Sequence, residues 1–247
     1  MSFDERTRIP MKKLITGGCS FTEWPQNTHT WPKFLLEHLP EYTHANAALG
    51  SSGNGLISRR VIYETTQALK QCDAKDILVG VMWSGPDRHE FYTQRVTDDM
   101  TANTKINPCK FIPDSPGAWA IMNGGWKMNH AKIYYTEFHT LAGSLISTLE
   151  HILRVQWFLK QHGVRYFMTT YTGDVIPNYV KTFADTEHLY SEIDFVNFLP
   201  VSSEYEWCRD HSGIEFPAPN DYHPSGAQHK LFVEQVIIPF LKERNLA

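Results

Sequence analysis

Short apolar runs alternate with longer amphipathic stretches along this chain. Lys12 to Thr16 leads into Gly17-Gly18 and predicts a short strand ending at a tight turn. From Trp31 to Leu39, Phe34, Leu35, Leu36 and Leu39 fall at helical spacing, and Pro40 ends the run. A second short strand is expected over Thr43 to Ala48. The Gly/Ser-rich loop Gly50 to Gly55 follows, then a helix to about Lys70 with Ile57, Val61, Thr65 and Ala68 on one face. Asp76 to Trp83 is a bounded apolar run, the pattern of a parallel strand covered on both faces. Phe138, Leu141, Leu145, Leu149 and Ile152 predict a helix over Thr136 to His162, with Gly163 at its C-terminal cap. Val164 to Thr170 and Ile193 to Leu199 predict two more strands. A last helix is expected from Ser225, whose spacing to Gln228 fits a capping box, with a kink at Pro239.

The order is β-α-β-α-β, an insert, then α-β-α-β-α, which implies a parallel sheet with helices on both faces. The insert, about residues 84–135, is rich in Asn, Asp, Thr, Pro and Gly, yet carries Trp119 and Trp126. The aromatics suit a packed lid or pocket wall. In folds of this kind ligands bind beyond the carboxyl ends of the strands, so the loops after strands carry the candidate chemistry.

After the first strand comes Gly17-Gly18-Cys19-Ser20-Phe21-Thr22. Two glycines permit torsions other residues resist, and can raise the Ser20 hydroxyl at the top of a sheet. A plain turn or a phosphate cradle are the alternatives, although the segment lacks the lysine and spacing of a P-loop. Near the other end lies Asn220-Asp221-Tyr222-His223-Pro224-Ser225. In an extended loop Asp221 and His223 point to one side. The carboxylate can then hold one imidazole nitrogen and leave the other for a hydroxyl. A surface turn and a metal-ligand pair are the alternatives here.

Taken together, GGCSFT and DYHP resemble the SGNH/GDSL hydrolase superfamily, with Cys19 where that family's name has Asp. The resemblance implies one domain over residues 1–247, an α/β three-layer α/β/α sandwich with a parallel, flavodoxin-like central sheet. It implies Ser20 as nucleophile, His223 as base and Asp221 as its orienting carboxylate. The family's oxyanion hole uses the nucleophile's N–H, here Ser20, and a glycine N–H after the second strand. Asn46 to Asn54 is similar to that loop, which gives Gly50, or Ser51 one position on. The family's third block, G-x-N-D, is matched only by Ser84-Gly85-Pro86-Asp87-Arg88, and its asparagine is missing. Ser84, Arg88 or Asn54 are the candidates to replace it. A lost side-chain donor costs roughly 2.7–4 kcal/mol of transition-state stabilisation. The departure therefore keeps open a slow enzyme, or a binding protein on the same scaffold.

Composition narrows the partners. Lys+Arg is 23 and Asp+Glu is 27, for a net charge of −4, with no basic footprint for nucleic acid and no polybasic membrane patch. No cofactor and no metal are expected: His139, His151 and His162 share no i, i+4 face, and His89-Glu90 does not continue as H-E-x-x-H. Small neutral or carbohydrate O-acyl esters are the expected substrates, with Trp119, Trp126 and Arg88 as pocket candidates. Cys19 is a second possible nucleophile, ranked below Ser20 because its side chain should point the other way. The four cysteines are scattered. The N-terminal segment has no apolar core of signal length, and MKKLITGGC, which mimics a lipoprotein signal, has only Leu14-Ile15 as its apolar run. A soluble cytoplasmic protein is the expectation.

Overall fold

The computed structural model describes residues 12–23, 29–98, 100, 105–108, 117–123 and 129–246. Trp24, Cys109 and Trp126 lie outside the described residues. Among them are strands β1 (Lys12–Gly17), β2 (Tyr42–Asn46), β3 (Ile77–Trp83), β4 (His89–Thr93), β5 (Lys105–Pro108), β6 (Ala118–Met122) and β7 (Arg165–Thr170). The helices are α1 (Trp31–His38), α2 (Asn54–Leu69), α3 (Asn129–Ile133), α4 (Leu141–Gln161), α5 (Glu187–Ser191), α6 (Glu204–His211), α7 (Gly226–Phe232) and α8 (Ile238–Glu243).

The main sheet is parallel throughout, in the order β2-β1-β3-β7. Side chains alternate across it as strand geometry requires. Ile15, Val79, Val81, Trp83, Tyr166 and Met168 form one buried cluster with Ile57 and Val61 of α2 and Leu149, Ile152 and Val155 of α4. Leu14, Leu78, Met82 and Phe167 form the other with Trp31 and Leu35 of α1, Trp207 of α6, Phe232 of α7 and Phe240 of α8. Gly80 sits on this second face. A Cβ there would lie 2.6 Å from Phe167 Cζ and 2.9 Å from Trp31 Cη2, so the glycine makes room for two buried rings.

The structure refines the expected elements at four places. Residues Ile193 to Leu199 do not form a strand; Phe195–Asn197 is a short 3₁₀ turn, and Phe198 makes a single parallel bridge to Met168. The insert contains an antiparallel sheet in the order β4-β6-β5, backed by buried Met100, Ala120, Met122 and Ala131. The long helix starts at Leu141, with Thr140 Oγ1 accepting from the Gly143 N–H. Tyr134–Phe138 is a separate π turn, which leaves Phe138 71% exposed and outside the core. Lastly, the backbone adjustment before Pro239 is a π turn over Val233–Ile237. The proline cannot donate to the carbonyl four residues back, and a π turn is one way a helix accommodates a break in its ladder. The capping box at Ser225 and Gln228 is present, and Gly163 adopts φ +66°. Among the described residues no helix is long and apolar enough to cross a membrane.

Strand β1 has β2 on one side and β3 on the other, so the direction of winding reverses there. In folds of this kind such a reversal is where ligands bind, beyond the carboxyl ends of the strands.

Candidate active site

The turn after β1 is built tightly. A Cβ on Gly18 would lie 2.2 Å from Thr22 Oγ1 and 3.0 Å from the Met82 carbonyl. The Cys19 carbonyl accepts from the N–H groups of Thr22 and Glu23 at 3.0 and 2.8 Å. Trp31 Nε1 donates to Thr22 Oγ1, and Thr30 Oγ1 donates to the Thr22 carbonyl. This winding sends the Cys19 side chain into the core, fully buried, and leaves Ser20 partly exposed.

At the other end of the chain, the Asp221 N–H donates to the Ala218 carbonyl at 3.1 Å, closing a short turn. Asp221 Oδ1 accepts from the His223 N–H at 3.0 Å and lies 2.6 Å from His223 Nδ1. His223 Nε2 lies 2.7 Å from Ser20 Oγ, across 203 positions of sequence. With the Nδ1 proton assigned toward the carboxylate, Nε2 presents its lone pair to the serine hydroxyl. The His223 backbone N–H and ring together hold the Asp221 carboxyl below its ordinary value. Both side chains remain open to solvent, His223 50% and Asp221 46% exposed. Their positions come from what lies beneath: the imidazole packs on Phe21 at 4.9 Å, and Phe21 stands edge-on to Tyr171 at 5.2 Å. Pro224 is buried, and the buried pair Glu204 Oε1–His229 Nδ1, at 2.7 Å, ties α6 to α7 directly behind the loop.

The loop after β2 is laced to the same edge. The Ala47 N–H donates to the Thr16 carbonyl, and the Leu49 N–H to the Gly18 carbonyl. Gly50 therefore arrives beside the turn after β1, but its N–H already donates to Glu23 Oε2 at 2.7 Å. Ser51 adopts φ 68°, in the left-handed region where a non-glycine residue is strained.

Asn54 is a correction. Its Nδ2 donates to the Ser84 carbonyl and to Thr148 Oγ1, while its Oδ1 accepts from the Ser84 N–H. With the amide spent on fastening α2 to the end of β3, it has no hydrogen left for a substrate oxygen. Arg88 also closes on the end of β3. Its Nη1 donates to Ser84 Oγ at 2.7 Å and its guanidinium lies 5.1 Å above the Tyr171 ring. Burial works against its charge, yet neighbouring Cys19, Tyr171 and Asp87 outweigh that and hold its pKa above the ordinary value. Trp119 lies on the insert sheet under the Arg59 guanidinium, 4.6 Å from its ring centre, with Tyr92 at its edge. Trp126 lies outside the described residues.

Sequence reasoning missed three neighbours of the site. Tyr171 follows β7, where the strand-end rule already directs attention. Phe21 adjoins Ser20. Glu23 carries no local signal, because only the meeting of two loops brings it onto Gly50. Among the described residues no three His, Cys, Asp or Glu side chains converge as a metal set. No family model and no curated protein matches this chain. The arrangement places a hydroxyl, an imidazole and a carboxylate in hydrogen-bonded series, which is what nucleophilic attack on an acyl carbon needs.

Proposed function

We propose that the chain is a serine-dependent ester hydrolase of the SGNH type, acting on small or carbohydrate O-acyl esters. The observation that carries this is the relay Ser20 Oγ–His223 Nε2–Asp221 Oδ1, at 2.7 and 2.6 Å. The two apolar clusters on opposite faces of the β2-β1-β3-β7 sheet support a single three-layer α/β/α domain with a flavodoxin-like centre. Free Cys19, Cys72 and Cys208 fit a reducing, cytoplasmic setting.

In this mechanism Ser20 Oγ attacks the ester carbonyl as His223 takes its proton. Asp221 orients the imidazole and stabilises the imidazolium. The Ser20 N–H and, once Glu23 has moved aside, the Gly50 N–H hold the developing oxyanion. Arg88 adds positive charge at the same strand ends, where the family pattern would place an asparagine. His223 then protonates the leaving alkoxide, and water clears the acyl-enzyme through the same base. A second function, ligand binding without turnover, is favoured by one contact, the Glu23 carboxylate seated on the Gly50 N–H.

The test is covalent labelling by a fluorophosphonate together with hydrolysis of a short-chain aryl ester. Labelling at Ser20 that disappears in His223→Ala, with turnover lost in Ser20→Ala, supports the hydrolase. Unchanged turnover in Ser20→Ala refutes it, and absence of both labelling and turnover leaves the binding function.

A further inference from the structure

Behind the end of β3 lies a second polar chamber of about 100 Å³, lined by Arg59, Glu90, Ser144, Ser147, Thr148 and His151. That is several times the ~10–15 Å³ a single water requires. Asn54 and Arg88 also line it, and these same two residues grip Ser84 at the carboxyl end of β3, the strand next to β1. Three of its groups converge over Gly55. A Cβ there would lie 2.2 Å from Glu90 Oε1, 2.8 Å from Arg59 Nη1 and 3.0 Å from His151 Nε2.

Arg59 Nη1 pairs with Glu90 Oε1 at 3.2 Å, and Ser147 Oγ lies 3.2 Å from His151 Nε2. The far atoms of the carboxylate and of the imidazole remain to be accounted for. Glu90 is only 8% exposed; its Oε2 makes no close hydrogen bond and lies against the backbone at Gly53, toward the Gly53 and Leu56 amides, whereas His151 Nδ1 is buried and unpaired. A buried imidazole nitrogen in so enclosed a place calls for a hydrogen-bond partner.

Charge decides which partner. An added anion would meet Glu90, and an added cation would meet Arg59 and Arg88. A neutral hydroxyl both donates and accepts, so adjacent hydroxyls can serve the free imidazole nitrogen in either tautomer and the guanidinium together. We infer that the chamber is a subsite for a neutral vicinal diol, such as glycerol or one edge of a sugar ring, belonging to the alcohol half of the ester. The last clause rests on the hydrolase proposal; the diol preference rests on the chamber alone.

The experiment has a binding arm and a turnover arm. Glycerol and methyl glucoside are titrated into the full chain by saturation-transfer NMR, with acetate and methylammonium as charged competitors. Saturable binding of the neutral probes is expected in the wild type and in Ser20→Ala. It should weaken about tenfold or more in Ser147→Leu, which fills the chamber from α4, and in Glu90→Gln. In the turnover arm, kcat/KM for glyceryl monoacetate should exceed that for ethyl acetate by about tenfold, the worth of roughly one net hydrogen bond. The preference should vanish in Ser147→Leu while the ethyl acetate rate holds. Absence of saturable binding by either neutral probe would mean a chamber for water only and overturns the inference. So would acetate or methylammonium outcompeting them. Diol binding with no fluorophosphonate labelling of Ser20 overturns the hydrolase proposal and leaves the diol site standing.

Discussion

Glu90 gives a prediction that does not depend on any activity. Burial is the largest influence on its carboxyl and pushes it up from an ordinary 4.5 to about 7, against the opposing pull of Arg59 and of the Leu56 and Gly53 amides. The folded protein therefore holds the Glu90 proton over a range where the unfolded chain has already released it. Stability changes with pH as the protons bound unfolded minus those bound folded, a negative difference here, so it falls as pH rises from about 4.5 to about 7. At ~1.36 kcal/mol for each pH unit, the gap amounts to about 3 kcal/mol as an upper figure. Glu90→Gln removes the titration and keeps an oxygen for Arg59. Urea unfolding of both proteins at a series of pH values, read as wild type minus variant, isolates the effect. His89 and His151 are pushed down by burial, His151 to about 3, but both remain in the variant and largely cancel in the difference. The wild type should lose about 1–3 kcal/mol relative to Glu90→Gln between pH 4.5 and 7.5. Parallel profiles, or a wild type that gains relative stability as pH rises, would refute the burial argument.

Asp221→Asn should lower kcat/KM for an aryl ester on the order of 10³-fold or more, because an amide favours the wrong imidazole tautomer; a change under tenfold would remove Asp221 from the relay. Glu23→Ala frees the Gly50 N–H from the contact at 2.7 Å and should raise kcat/KM for a neutral ester roughly tenfold, given ~1.5–3 kcal/mol for a hydrogen bond to a charged group. A fall in rate would instead make Glu23 part of the working site. Gly80→Ala drives a methyl to 2.6 Å from Phe167 Cζ and should cost about 1–3 kcal/mol in urea unfolding, with the midpoint reporting it.

Periodicity made the parallel sheet and its covering helices legible, because each buried strand and each helix stripe must repeat at its own spacing wherever it packs. It fails at Ile193 to Leu199, an apolar run in which the chain instead turns, meeting β7 through the Phe198–Met168 bridge and the Leu199 N–H on the Met168 carbonyl. Composition likewise hid the β4-β6-β5 sheet of the insert, whose strands are short and interrupted by turn-forming residues. For the site, two motifs sufficed to nominate Ser20, Asp221 and His223, since Gly-Gly before a serine and a close Asp/His pair are local chemistry. Their contact is not local. It exists because winding reverses at β1 and because Phe21, Tyr171 and the capped α7 hold the last loop against the first. The fate of the donors was settled by packing as well: Asn54 is consumed by Ser84 and Thr148, and the Gly50 N–H is taken by Glu23. The Glu90–Arg59–His151 chamber had no signature along the chain at all. Its members come from α2, β4 and α4, elements far apart in sequence that only the tertiary fold presses around one glycine. The sequence by itself determined which residue types stand after the strands; the tertiary structure decided which of them meet, because burial and hydrogen bonding are settled between elements rather than within them.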